Sequence, residues 1–269
     1  MYPIGTTGRW TGPAVADTVS TMTDLAALET VRATADPIHD MGTQLFLSPE
    51  TFSRAAEWGW ANPFAFYFAG RGGVLGDVEP DVVAAAFGWF EPGVLAGMWA
   101  EGTAVAGARG AARRMTEAHA AYGRDHLRDV DGMDRFVALA DRVVDGATVA
   151  GLPLFAGWRA EARVDDVPGR AAQLIHALRE WRGSVHLVAT TAVGLSPLEA
   201  ILTNEGEGQA KFFGWSEPFA DCAAIKHLHD EAQAMTDRLC AQELERLLSP
   251  AERGEFADTV AAARKVIGG

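Results

Sequence analysis

The stretch PGVLAGMWAEGTAVAGARGAARRMTEAHAAYGRDHLRDVDGMDRFVALADRVVD, residues 92–145, decides the fold class. Alanine, leucine, arginine and glutamate dominate it, and β-branched residues are few. Such residues lose little conformational freedom in a helix, so the stretch predicts two or three helices. Gly107, Gly110, Gly123 and Gly132 are the candidate breaks.

Toward the N-terminus, Leu25, Leu28, Val31 and Ala35 recur at helical spacing after Asp24. That helix should stop near Asp36, because Pro37 disfavours helical geometry in the residue before it, which leaves His39 in a loop. Ser48-Pro49-Glu50-Thr51 pairs a candidate N-cap with a proline at the first helical position and predicts a helix to about Trp58. Residues 63–71 carry Phe64, Phe66, Tyr67 and Phe68 on nearly all sides, the pattern of a buried helix, with Gly70, Gly72, Gly73 and Gly76 forming the turn after it. Glu79-Pro80-Asp81 opens a helix that should carry Val82, Val83 and Phe87 inward. Residues 1–20, rich in Gly, Pro and Thr without a period, read as a flexible arm.

Toward the C-terminus, Leu152-Pro153-Leu154-Phe155 should lead into a loop through Asp165, Asp166 and Pro168. A strong helix covers Arg170 to Trp181 and is expected to break at Gly183. A second runs from His186 to Val193, Gly194-Leu195-Ser196-Pro197 turns the chain, and Leu198–Leu202 begins another, the order of a helix-turn-helix. A Gly-rich loop (Asn204–Gln209), a long helix from about Phe219 to Leu248 and a last one begun by Ser249-Pro250-Ala251-Glu252 complete the chain. Alternating strand patterns are nearly absent, which predicts an all-α fold. The expected organisation is the arm (1–20), an N-terminal helical half (21–150) and a C-terminal helical half (151–269).

At 269 residues and 48% hydrophobic composition the chain is long enough for one large domain or two small ones sharing a core. Thirty-six acidic against 23 basic residues give a formal charge of −13, whose long-range field repels phosphate backbones and anionic membrane surfaces. Arg109, Arg113, Arg114, Arg124 and Arg128 form the densest basic stretch, but Glu117 and Asp125 interleave it, as on a solvated helix face. Cys222 and Cys240 are too few for a disulfide framework and too far apart for a CxxC site. Residues 1–20 show no cationic start followed by an apolar run, and no stretch reaches the ~18 apolar residues of a membrane span. A cytoplasmic protein is the expectation. No GxSxG occurs, and the glycines at 70–76 lack the Lys-Ser/Thr of a P-loop.

Three stretches together resemble an actinobacterial family of largely uncharacterised helix-turn-helix proteins whose C-terminal part is winged-helix-like in the MarR manner. They are Asp36-Pro37-Ile38-His39 with Phe46-Leu47-Ser48-Pro49-Glu50, then Tyr67-Phe68-Ala69-Gly70-Arg71 with Leu75-Gly76, and last Leu178 through His186 (LREWRGSVH). Coverage runs from about residue 25 to the end. The resemblance implies degenerate helix-turn-helix units packed on one another. Where the family has Arg-Gly-Asp-Gly-His this chain has Arg182-Gly183-Ser184-Val185-His186, and extra residues separate His39 from Pro49. The segment between Gly214-Trp215-Ser216 and Thr236-Asp237-Arg238 is too short for both a recognition helix and a β-wing, so DNA binding is not expected.

Candidate chemistry gathers at a few polar residues. Glu180, Arg182 and His186 surround the expected break at Gly183, where freed N–H groups beside a cation and an imidazole would make an anion or carbonyl site. The alternative there is a structural Glu180–Arg182 ion pair with His186 capping the turn. His39 lies between Asp36 and Asp40, either of which could fix its tautomer for base or metal-ligand work, although surface histidines are as common. Arg71 beside Tyr67 and the aromatic cluster needs an anionic partner if buried, and Trp89 belongs to the same apolar wealth, which reads as core or as the wall of a ligand pocket. His227 and His229 stand two apart and cannot easily share a metal ion on a helix. His119, His126 and His176 read as surface or boundary residues. Gly88-Trp89-Phe90-Glu91-Pro92 is echoed by Gly214-Trp215-Ser216-Glu217-Pro218, as two related halves or chance would produce.

The expected function is that of an enzyme of specialised metabolism. It would bind a small organic molecule between the helical halves and act by acid–base or metal-assisted chemistry, with His39, His186 and Glu180 as catalytic candidates. Arg71, Arg182, Tyr67 and Trp89 are the ligand-binding candidates. The alternative is a non-catalytic ligand-binding or sequestering protein of regulator ancestry, in which a homodimer is the expected partner arrangement. The sequence names no cofactor and no metal.

Overall fold

Proline stands at one of the first two positions of eight helices, where its missing N–H would have had no intrahelical partner. The computed structural model describes residues 21–267, with side chains from Ala26 onward. The 1–20 arm lies outside the described residues. Within them the chain forms α1 (Thr21–Leu47), α2 (Pro49–Glu57), α3 (Pro63–Gly72), α4 (Pro80–Phe87), α5 (Pro92–His126), α6 (Met133–Gly146), α7 (Pro153–Ala160), α8 (Val167–Ala192), α9 (Pro197–Asn204), α10 (Glu207–Phe212), α11 (Lys226–Leu247) and α12 (Pro250–Arg264). Two 3-10 turns join them, and no strand occurs among the described residues, so the fold is all-α. No single described helix is long and apolar enough to cross a membrane.

Side-chain caps set several of these starts. Ser48 accepts from the Thr51 amide at 3.2 Å, as its Ser-Pro-Glu context predicts. Ser196 with Glu199 and Ser249 with Glu252 form complete capping boxes. Each such cap contributes about 1 kcal/mol.

The middle stretch forms the three helical segments its composition predicts. α5 is interrupted at Gly107, whose φ of 68° and ψ of 166° are not helical, and Gly132 (φ 83°) precedes α6. Gly110 and Gly123 break nothing. An added Cβ at Gly123 would strike the Pro168 carbonyl, so this glycine instead lets α8 lie close against α5. Gly70 and Gly72 are likewise inside α3 rather than in a turn, packed against Met115 and Trp99 of α5.

Several boundaries differ from expectation, each because packing outweighs local preference. α1 continues through Pro37 to Leu47, since Val31, Ile38, Met41 and Leu45 form one buried stripe against α8, α11 and α12. His39 is therefore helical. α8 runs unbroken through Gly183, held by buried residues on both sides of it from Leu178 to Ala189. Residues 153–160 form α7 rather than a loop, with Leu154, Phe155 and Trp158 buried. α11 starts only at Lys226, and the residues from Phe219 are not part of it. Val82 of α4 faces solvent while Val83 and Phe87 are buried.

Two apolar clusters fill the interior, and each draws on both halves of the chain. One joins α1 to α6, α8, α11 and α12; the other joins α2 through α5 to Leu154 and Trp158 of α7. Between them α3 is tied to α8 by a buried ion pair. Arg71 donates from Nε to Glu180 Oε1 at 2.8 Å and from Nη2 to Oε2 at 2.9 Å. Arg71 Nη1 also donates to the Tyr67 hydroxyl at 3.1 Å, and the guanidinium lies 4.3 Å from the Phe87 ring centroid.

Two predictions follow from this packing. Glu180→Gln leaves a buried guanidinium without its countercharge and should destabilise by about 3–5 kcal/mol in urea unfolding, the range for breaking a buried pair. At the α3–α5 crossing, a Cβ at Gly102 would run into the Ala65 carbonyl, whereas at Gly97 it meets open space. Gly102→Ala should therefore cost about 1–3 kcal/mol, and Gly97→Ala should stabilise by about 0.5–1 kcal/mol, both read as shifts in the unfolding midpoint.

Candidate functional site

Reading α8 as one helix puts Arg179, Arg182, Gly183 and His186 at the i, i+3, i+4, i+7 positions of a single stripe. That stripe forms the floor of a cavity of about 360 Å³. α1 adds Asp36 and His39 at i, i+3, and α11 adds His229 and Gln233 at i, i+4. Tyr67 and Arg71 come from α3, while Ala200, Ile201 and Asn204 come from α9. Trp89, Phe90 and Phe213 close an apolar wall.

The two echoed segments build that wall together. The Trp215 indole donates to the Trp89 carbonyl at 2.8 Å, the Glu91 amide donates to the Phe213 carbonyl at 2.9 Å, and the Phe90 and Phe213 rings pack edge to face at 4.8 Å. Gly88 and Gly214 both take positive φ, 79° and 92°, which a side chain would strain.

Six of the seven residues singled out from the sequence line this one cavity: His39, Tyr67, Arg71, Trp89, Arg182 and His186. Glu180 does not. It is buried off the lining, 1% exposed, and its partner is Arg71 rather than Arg182. Burial alone would raise its carboxyl, but Arg71, His176 and Arg179 outweigh burial and hold it well below the usual carboxylate range. Glu180 is thus a fixed anion at neutral pH rather than a proton carrier. The anion site expected at a helix break also does not form, because the amides around Gly183 are spent inside α8.

His39 sits at the exposed rim. Neither Asp36 nor Asp40 hydrogen-bonds its ring among the described residues, and Asp40 is paired instead with Arg264 of α12 at 2.8 Å. The shelter of the rim and then Arg179 pull its pKa below the ordinary value.

His186 is better defined. The Thr236 hydroxyl spends its proton on the Ala232 carbonyl at 2.7 Å, so it can only accept at 2.9 Å from His186 Nδ1. This fixes the Nδ1–H tautomer and leaves Nε2 an unprotonated acceptor without a partner among the described residues. Burial, Arg182 and His229 bring the pKa down to about 4, so the ring is neutral at pH 7.

Sequence reading missed Arg179, Asn204, Phe213 and Gln233 and gave His229 only a weak role. The α8 stripe with Arg179 was hidden by the expected break at Gly183, and Asn204 by the Gly-rich loop expected to begin there. Sequence reading also placed His119 and His176 at the surface or its boundary. They are fully buried, with their Nδ1 atoms 2.9 Å apart and the His176 ring 4.0 Å from that of Trp158. No group of three His, Cys, Asp or Glu side chains suited to hold a metal ion occurs among the described residues.

α9 leaves α8 at 102° through the turn at Gly194, the corner of a helix-turn-helix. Its sequence, PLEAILTN, carries no cation, and three of its eight residues face the cavity. Three of the five arginines of the basic stretch pair with carboxylates: Arg109 with Glu161, Arg114 with Glu117 and Arg124 with Asp166. Comparison with curated proteins and with solved structures gives no match. The sequence profile of the Helix-turn-helix family, by contrast, matches residues 28–267, nearly the whole chain, and the protein belongs to that family.

Proposed function

We propose that the cavity binds a small organic molecule and that His186 accepts a proton from it. The observation that carries this reading is the bare Nε2 of a neutral, tautomer-fixed imidazole on the floor of a preformed pocket with an aromatic wall. A general base must be unprotonated at working pH and oriented by a second group; here Thr236 orients it and burial keeps it neutral. Arg71 and Glu180 are positioning residues that hold the floor against the wall, and Tyr67, Trp89 and Arg182 contact the ligand. No metal or cofactor is needed for this step.

DNA is not the ligand in this reading. The helix that would enter a major groove is acidic and turned toward the cavity, and the chain carries a charge of −13. A second reading, ligand binding without turnover, draws on one specific observation. His186 is backed by a hydroxyl rather than a carboxylate, so nothing stabilises an imidazolium once it forms.

Native mass spectrometry of the purified chain, followed by incubation of the released molecule with fresh protein, separates the two. Conversion by the wild type is expected, with His186→Gln binding within about threefold but turning over roughly 10²–10⁴ times more slowly. Binding with no conversion would leave only the non-catalytic reading, and a molecule whose binding ignores Trp89→Ala would sink both. The pH profile gives an independent check. Because the unprotonated ring is the active form and its pKa is about 4, kcat/KM should hold from pH 7 to about pH 5 and fall only near 4. A fall beginning near the ordinary imidazole value, about 6.5, contradicts the assignment.

A further inference from the structure

The three arginines of the cavity lining are not equally paired. Arg182 meets Asp237, 2.8 Å from its Nη2, a carboxylate that Arg32 also approaches at 3.5 Å, and Arg71 takes both oxygens of Glu180. Arg179 is left to share Glu180 Oε1, at 3.2 Å from its Nη1, with Arg71. Its Nε is buried without a partner among the described residues, as is that of Arg182. The remaining acidic residues of the lining, Asp36 and Glu205, are exposed and neither contacts it. Arg179 thus makes the longest carboxylate contact of the three lining arginines, to an oxygen it shares.

Arg179 is also held in place as a site residue would be. Its guanidinium lies 5.1 Å from the Phe46 ring centroid. Its aliphatic stem crosses α1 at Gly42, where an added Cβ would collide with Arg179 Cδ. The missing side chain on α1 is what lets this arginine lie flat. Burial and Arg71 disfavour its charge, against the pull of Glu180. Since a guanidinium stays protonated at physiological pH, an added anion is the arrangement that relieves it.

Resting on the reading of the cavity as a ligand site, we infer that its ligand is a carboxylic acid bound as a monoanion. Its carboxylate docks on Arg179 beside His39, and its apolar body lies against Trp89, Phe90 and Phe213. A planar carboxylate suits the guanidinium fork, and the lining carboxylates Asp36 and Glu205 disfavour the second negative charge of a phosphate monoester. Seating the carboxylate near the rim leaves the far end of the molecule over His186.

The test uses 3-phenylpropanoate and its neutral near-isostere 3-phenylpropanamide, titrated into the full-length protein by calorimetry. The wild type should bind the carboxylate at least tenfold more tightly than the amide. Arg179→Gln should bring that ratio close to one with the amide affinity unchanged, and Arg179→Lys should keep part of the preference. Gly42→Ala, which displaces the stem without removing the charge, should also lower the ratio and serves if Arg179→Gln fails to fold. Equal binding of the two probes to the wild type, or a preference that survives Arg179→Gln, overturns the inference while leaving a ligand site in the cavity. Binding of neither probe, or binding that Trp89→Ala does not weaken, overturns the inference and the cavity reading together.

Discussion

The pair between Arg71 and Glu180 is the interaction on which the rest of the structure depends. Removing two charges from water costs several kcal/mol per ion, so the pair persists only with near-ideal bidentate geometry and every remaining donor placed. Tyr67 and the Phe87 ring satisfy the outer side of the guanidinium, while His176 and Arg179 crowd the carboxylate. Those demands tie α3, which packs mainly on α5, to α8, and so bring Tyr67 and Arg71 to the cavity beside the stripe that carries His186. A hydrophobic pair could join the helices as firmly, but it would not leave a second arginine sharing a carboxylate oxygen beside an open cavity. The pair thus links packing to chemistry.

Helix-turn-helix corners present one helix outward. In this chain the second helix of the corner is short, acidic and folded toward the cavity, with Ile201 and Asn204 on the lining. Ala200 of the same helix also faces the cavity. The segments around Trp89 and Trp215 complete the enclosure by bonding backbone to side chain across 126 residues of sequence.

Much of the fold was legible because helix starts are local. Ser48, Ser196 and Ser249 cap the helices that their sequence contexts announce, and the composition of residues 92–145 leaves little choice but helix. Helix ends and interruptions were legible only in part, at Trp58, Gly107 and Gly132, since tertiary burial decides the others. Pro37 weakens α1 by a bond and Gly183 weakens α8 by its flexibility, yet both helices continue because the stripes on either side are buried. That kind of error hid the α8 stripe. Broken at Gly183, α8 separates Arg179 from His186; unbroken, it aligns them. Arg71 was readable from its aromatic neighbours, whereas the tautomer of His186 and the shared carboxylate of Arg179 depend on distances between helices that no local pattern encodes. His119 and His176 were misread for the same reason, their burial arising from α5 meeting α8.

The chemistry of the cavity turns on a neutral imidazole whose Nε2 stays bare near a guanidinium that shares its carboxylate oxygen. Long-range ¹⁵N–¹H NMR of the histidine rings reports tautomer and titration directly. At pH 7 the His186 ring should carry its proton on Nδ1, with Nε2 at the shift of an unprotonated nitrogen, and its titration midpoint should lie near 4. A ring protonated on Nε2, or one that titrates at the ordinary imidazole value of about 6.5, would contradict it.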